Sequence, residues 1–234
     1  FFILGIDDLE LETPELKLIN ENSLGGIILF KRNISSLEQV VALNSAILKA
    51  NSNAPIISVD QEGGRVARLR GICTDIPPLA ELEKIFLKNP LLAFELGAMQ
   101  AKELKSLGFS LNFSPVCDIF SHEDNEVIGD RAFSRKAEVV AKLAAHFING
   151  MQSFGIAACA KHFPGHGATA VDSHFALPVL NANIEDLKKR ELIPFISAIN
   201  ADVATIMTAH IAALQRPYLL LLFEPAVARS QGVR

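Results

Sequence analysis

The chemistry-bearing residues of this chain crowd into one short stretch. Lys161-His162-Phe163-Pro164-Gly165-His166-Gly167, followed by Asp172-Ser173-His174, places three histidines, one lysine and one aspartate within 14 residues. Four readings compete. A metal site would use His162, His166 and His174. The spacing of His162 and His166 mimics the zincin pattern, but Pro164 and Gly165 lie between them and oppose a helix, and the zincin glutamate is absent. A structural reading takes a glycine-rich loop with satisfied histidines. A third is carbohydrate binding without chemistry. The fourth is acid/base catalysis on a mobile loop, with Asp172 orienting His174 two residues on. A carboxylate partner fixes the imidazole tautomer and favours its protonated form, which prepares a general acid.

Two further clusters stand apart. In Val59-Asp60-Gln61-Glu62-Gly63-Gly64-Arg65-Val66-Ala67-Arg68, a carboxylate at Asp60 can accept two hydroxyl hydrogen bonds, and Arg68 can reach the same pocket; the bland alternative is an Asp60–Arg68 ion pair closing a loop. In Ile128-Gly129-Asp130-Arg131-Ala132-Phe133, the arginine is either a ligand clamp or a loop staple.

The elements that position these residues follow from the apolar pattern. Short apolar runs occur at 1–6, 25–30, 55–59, 109–116, 156–160 and 203–208. Between them lie helix-like segments near 14–22, 37–50, 91–107, 135–154 and 183–200. Ser35 and Glu38 have the spacing of a capping box for the second. Gly108 and Gly155 stand as stops after the third and fourth, and Pro194 predicts a kink or break in the fifth. Strands separated by helices imply parallel βαβ units, and runs apolar throughout imply strands covered on both faces. Each run ends in a polar residue: Asp7, Lys31, Asp60, Asp118, Lys161 with His162, and His210. In a barrel of parallel strands these ends share the face on which active sites are built. The dinucleotide and P-loop glycine signatures are absent. The expected fold is therefore α/β, a TIM-type (β/α) barrel, with six of its eight strands visible and its C-terminal part incomplete.

Composition narrows the function classes. Half of the 234 residues are hydrophobic, enough for a sizeable core, and the net charge of −4 without basic clusters argues against nucleic acid. Cys73, Cys117 and Cys159 have no Cys-x-x-Cys spacing, which fits free thiols in a reducing compartment. The apolar run at 218–223 is too short to span a bilayer, so no membrane association is expected, and the N-terminus lacks the pattern of a signal peptide.

Taken together, the segments 25–30, 59–68, 112–118, 129–133, 161–167, 172–174 and 207–210 resemble, in the expected order, the N-terminal barrel of glycoside hydrolase family 3 in its β-N-acetylglucosaminidase branch. The resemblance covers about residues 1–211 and leaves 212–234 as a divergent tail. It implies retaining hydrolysis of terminal N-acetylglucosamine from muropeptides or chitooligosaccharides through a covalent glycosyl-enzyme, with no metal or other cofactor. The implied partner is a small carbohydrate, and the implied location is the cytoplasm, with export as the alternative. Asp60, Arg68, Arg131, Lys161 and His162 match positions that hold the sugar ring. His174 matches the acid/base histidine and Asp172 its dyad partner. The nucleophile of the family is an aspartate on a later strand. Here no Asp follows Asp202, and the only later acidic residue, Glu224, lies before Pro225 outside any family motif. The runner-up reading is thus a truncated or pseudoenzyme sugar-binding barrel.

A retaining glycosidase needs an acid/base and a nucleophile flanking the scissile bond, and deleting a nucleophile costs several orders of magnitude in rate in unrelated enzymes. The expected outcome for this 234-residue chain with a chromogenic N-acetyl-β-glucosaminide is little or no turnover. Turnover at the level of a full-length relative, abolished by His174→Ala, would place a nucleophile in the chain, with Glu224 the first residue to mutate.

Overall fold

The computed structural model describes residues 2–21, 24–50, 55–123, 125–167, 179–180, 184–209 and 212–213. Six strands form one parallel sheet in sequence order: β1 (Ile3–Gly5), β2 (Gly26–Leu29), β3 (Ile56–Val59), β6 (Leu111–Asn112), β7 (Ala157–Phe163) and β9 (Thr205–Thr208). Each expected apolar run supplies one of them. Two small additions were not legible in the pattern: an antiparallel hairpin, β4 (Gln61–Gly63) with β5 (Val66–Ala67), and a parallel pair, β8 (Val179–Leu180) with β10 (Ala212–Ala213). The helices are α1 (Thr13–Glu21), α2 (Leu37–Ala50), α3 (Glu83–Lys88), α4 (Leu91–Ser106), α5 (Ala137–Ser153), α6 (Ile184–Lys189) and α7 (Leu192–Asn200). Strand, helix, next parallel strand is the repeating unit of a (β/α) barrel, and the described strands form one curved portion of that architecture. Ile27, Leu29, Ile57 and Val59 are buried, as strands covered on both faces require. Among the described residues no helix is long and apolar enough to cross a membrane.

Two helix boundaries correct the expectations. The residue capping α2 is Ser36, one later than the expected Ser35, and Gln39 in place of Glu38 reaches back, to the Ser35 amide. The Gln39 amide donates to Ser36 Oγ at 3.2 Å, and the Ser35 amide donates to Gln39 Oε1 at 3.0 Å. Glutamine is as competent as glutamate in this motif, so adjacent Ser-Ser and Glu-Gln pairs make the register ambiguous. The segment at 183–200 is broken, as Pro194 predicts, but the break precedes the proline instead of falling at it. Pro194 sits at the third residue of α7, where a backbone N–H has no intrahelical acceptor to lose, and the break falls earlier, between Lys189 and Leu192.

The expected stop at Gly108 is present with full geometry. Gly108, at φ 88°, donates to the Lys105 carbonyl at 3.0 Å, and Phe109 donates back to Leu104 at 3.1 Å. This pair of bonds satisfies carbonyls that the end of α4 would otherwise leave open. Helix α5 packs on α4 and α7. A Cβ built on Gly97 would lie 2.3 Å from the Phe147 carbonyl oxygen, and one on Gly150 would lie 2.0 Å from that of Phe94. The two glycines thus let the backbones of α4 and α5 meet directly. Phe133 is fully buried edge-on between Phe86 and Phe147, with ring centroids 6.0 and 6.3 Å away. That contact anchors the loop carrying Arg131 to the helical layer.

Gly150→Ala should force α4 and α5 apart. Overpacking a core typically costs about 1–3 kcal/mol, and here the obstacle is backbone rather than a movable side chain. A urea melt should show the unfolding free energy fall by that amount, with a lower midpoint; an unchanged midpoint would mean the helices are not in this contact.

Candidate functional site

The strand ends of β3 and β7 converge across 101 residues of sequence. Lys161 Nζ lies 2.8 Å from Asp60 Oδ1 and 2.6 Å from Glu62 Oε1. Glu62 is also gripped from the other side: Arg131 Nε donates to Glu62 Oε2 and Nη2 to Glu62 Oε1, both at 2.8 Å. This is a bidentate fork, the strongest form of guanidinium–carboxylate pairing. The third arm of Arg131, Nη1, donates to the Val127 carbonyl at 2.8 Å. Two cations and two carboxylates therefore balance.

Burial sorts the cluster into a floor and a rim. Lys161 and Glu62 side chains are 2% and 1% exposed, whereas Asp60 is 16% and Arg131 11% exposed. Burial alone would raise the Glu62 carboxyl, but Lys161 and Arg131 outweigh it and hold it at about 2. Burial alone would likewise lower the Lys161 ammonium; Glu62 and Asp60 win and raise it. Arg131 follows the same logic, with Glu62 overcoming desolvation. All three groups are charged near neutral pH.

A third carboxylate, Asp118, is completely buried beside the first cluster. Its Oδ1 accepts the His166 amide at 2.7 Å, and its Oδ2 lies 2.6 Å from His162 Nδ1. Burial pushes Asp118 upward, but the His162 ring and the donated amides reverse this and lower it. His162 is 18% exposed and joins the rim. The peptide bond between Lys161 and His162 is cis.

Asparagines hold the backbone on which these charges sit. Asn112 at the end of β6 donates to the Gln61 carbonyl at 2.9 Å and accepts the Gln61 amide at 3.0 Å. That two-way clamp fixes the residue between Asp60 and Glu62. Asn125 donates to the His166 carbonyl at 2.7 Å and accepts the Ile128 amide at 2.9 Å, joining the loop after β6 to the loop after β7. Arg65, on the hairpin turn, pairs with Asp130 at 3.1 Å and donates to the Val127 carbonyl at 2.8 Å, closing the same side.

Of the residues singled out in the sequence, Asp60, Arg131, Lys161 and His162 lie in these two linked clusters. Arg68 is on the strand-end hairpin beside them. Its amide donates to the Asp60 carbonyl at 3.4 Å, and its buried Nε has no hydrogen-bond partner among the described residues. The alternative of an Asp60–Arg68 side-chain pair is not formed among those residues; Asp60 is taken by Lys161 instead. Asp172, His174 and His210 lie outside the described residues. Glu62 and Asp118 carry the charge balance, and neither had been assigned a role. Asp118 was visible only as a strand-end carboxylate, and Glu62 only as part of the Asp60 segment.

Other chemistries find less support. Burial pushes the Cys159 thiol up to about 11 and Cys73 to about 12, and it raises Cys117 as well, so none offers a thiolate at neutral pH. Among the described residues no group of three or more His, Cys, Asp or Glu is arranged to hold a metal ion.

Residues 5–216 match the family model for the glycosyl hydrolase family 3 N-terminal domain. A beta-hexosaminidase from Nitrosomonas eutropha (strain DSM 101675 / C91 / Nm57) is 43% identical over 204 residues, covering 86% of this chain and 58% of that protein. The structure of a glycoside hydrolase family 3 beta-N-acetylglucosaminidase from Paenibacillus sp. str. FPU-7 superposes with a TM-score of 0.86 at 39% identity, covering 91% of this chain and 41% of the other. The crystal structure of NagZ from Neisseria gonorrhoeae in complex with N-trifluoroacetyl-D-glucosamine gives 0.84 at 35% identity, covering 91% and 64%. The chain spans about three fifths of the length of the curated relatives it matches.

The depressed Glu62 carboxyl makes a pH prediction. A carboxylate lowered in the folded state contributes stability above its unfolded value of 4.5, and loses it as pH falls toward about 2. Removing one partner of a buried ion network costs about 3–5 kcal/mol. Glu62→Gln should therefore destabilise the protein by that order at pH 7, and the gap to wild type should narrow by pH 3. Urea melts at both pH values test this; a gap that is constant with pH would contradict an ionised Glu62.

Proposed function

The chain belongs to glycosyl hydrolase family 3, and we propose that it carries the sugar-holding part of a retaining β-N-acetylglucosaminidase site. The observation that carries this reading is the charge-balanced cluster with a polar rim. Lys161 and Arg131 are offset by Asp60 and Glu62, so the site has no net charge to attract a phosphate or a carboxylate. What it offers instead is alternating donors and acceptors at partly exposed positions. A sugar hydroxyl is both donor and acceptor, and can give its proton to Asp60 while taking one from Lys161 or Arg131. Arg68, with a buried Nε lacking a partner among the described residues, is a further donor for the same ring. The beta-hexosaminidase relatives and the sugar complex of the Neisseria protein support the choice of N-acetylglucosamine.

Asp60, Arg68, Arg131, Lys161 and His162 are the proposed ring-holding residues. His174, oriented by Asp172, is the proposed acid/base: it protonates the leaving oxygen and then activates water for the second step. No residue of the 234 is proposed as nucleophile. The substrate class is proposed to be the muropeptides and chitooligosaccharides that the resemblance implies, and the location the cytoplasm. Residues 1–211 are the proposed barrel domain.

Titration of N-acetylglucosamine into the wild-type chain, followed by calorimetry or chemical-shift changes, tests the binding step. Asp60→Ala leaves Lys161 with one unpaired face and removes a hydroxyl acceptor. The expected loss is about 1–3 kcal/mol, or roughly five- to 150-fold in Kd. Absence of binding by wild type, or equal binding by Asp60→Ala, would contradict the reading.

A further inference from the structure

The Asp118 carboxylate does more than balance a histidine. Four contacts reach it. Oδ1 accepts the His166 amide at 2.7 Å and lies 3.3 Å from the His162 amide; Oδ2 lies 3.2 Å from that amide and 2.6 Å from His162 Nδ1. The carboxylate thus grips both ends of the turn from His162 to His166, which is closed on itself by the Gly165 amide donating to the His162 carbonyl at 2.8 Å. It is wholly buried and lowered in pKa, so it is an acceptor only. An acceptor against Nδ1 requires the proton to reside on Nδ1. That leaves Nε2, on the opposite edge of a ring that is 18% exposed, as the nitrogen free to accept a hydrogen bond.

We propose that Asp118 is a positioning residue that fixes His162 with its proton on Nδ1 and presents Nε2 to a sugar hydroxyl at the rim of the site. The role deepens the sugar-binding reading and rests on it for the identity of the ligand; the tautomer itself does not. His162 in this state accepts a hydrogen bond through Nε2, whereas Lys161 and Arg131 beside it can only donate. Together with Asp60 it gives the rim acceptors on one side and donors on the other, so one hydroxyl orientation is selected. Asp118 does not touch the ligand: no part of it is exposed.

Asp118→Asn separates this role from mere packing. The amide oxygen can keep the His166 N–H, which turns the NH2 group against His162 Nδ1. Nδ1 must then accept, and the proton moves to Nε2. The same isosteric change in the serine-protease triad produces the wrong tautomer while leaving geometry intact. Long-range proton–nitrogen correlation spectra of the imidazole side chains, recorded on the whole chain at a pH where the rings are neutral, read the tautomer directly. His162 is identified by comparison with His162→Gln. The expected result is Nδ1–H in wild type and Nε2–H in Asp118→Asn, with N-acetylglucosamine affinity about tenfold or more weaker in the variant. In a His162→Gln background Asp118→Asn should add little further loss. Wild-type His162 found as Nε2–H overturns the proposal even if the variant does not fold. A tautomer switch with unchanged affinity also overturns it. If wild type binds no N-acetylglucosamine, the ligand reading fails, while the spectra still decide whether Asp118 sets the tautomer.

Discussion

Glu62 is a carboxylate in a place where an unpaired carboxylate cannot stay ionised. Taking such a group out of water costs several kcal/mol even after relaxation, and only well-placed cations return that cost. Lys161 and the fork of Arg131 do so, and in meeting that demand they bring three separate stretches of chain into register: the segment after β3, the loop after β6, and the end of β7. The geometry of the rim follows. Lys161, held between Glu62 and Asp60, has its direction fixed; Asp60 and Arg131 are left partly accessible above it. Buried ion networks replaced whole by hydrophobic residues of similar volume are often as stable or more so, so stability alone does not account for these charges. The charges are placed where they hold one arrangement of donors and acceptors.

Much of the fold was legible because parallel sheets covered on both faces write themselves as unbroken apolar runs. The runs at 55–59 and 203–208 coincide with β3 and β9 to within a residue or two, and the span 37–50 is α2 itself. What failed was local and has local reasons. The cap of α2 slipped by one because Ser35-Ser36 and Glu38-Gln39 permit two registers of the same motif. Pro194 marked a break in its segment, but the break lies two residues or more upstream, because a proline in the first turn of a helix costs nothing. The hairpin of Gln61–Gly63 with Val66–Ala67 was invisible because its strands are three and two residues long and the first buries polar side chains.

The site was legible by residue type and only partly by role. Strand-end position drew attention to Asp60, Lys161 and His162, since side chains there face one end of the barrel. It could not say which carboxylate pairs with which cation. That choice depends on hydrogen bonds spanning 41 to 101 residues of sequence, such as Asn125 to His166 and Lys161 to Asp60. Glu62 lies two residues from Asp60, so its side chain needs the turn of the hairpin to reach Arg131. Asp118 was noted as a strand-end residue, yet its value comes from two backbone amides and an imidazole, none of which a sequence displays. Asp172 and His174, named for acid/base chemistry, lie outside the described residues, and their roles rest on the family pattern.

The central claim is that the Asp60–Lys161–Glu62–Arg131 cluster and His162 form one preorganised seat for N-acetylglucosamine. A crystal structure of this chain with that sugar tests it most directly. The account predicts the pyranose ring on the rim, with its hydroxyls within hydrogen-bond distance of Asp60, Lys161 and His162 Nε2, and with the Glu62–Arg131 fork unchanged. A ring bound elsewhere, or bound here with Glu62 released from Arg131 and Lys161, would contradict it.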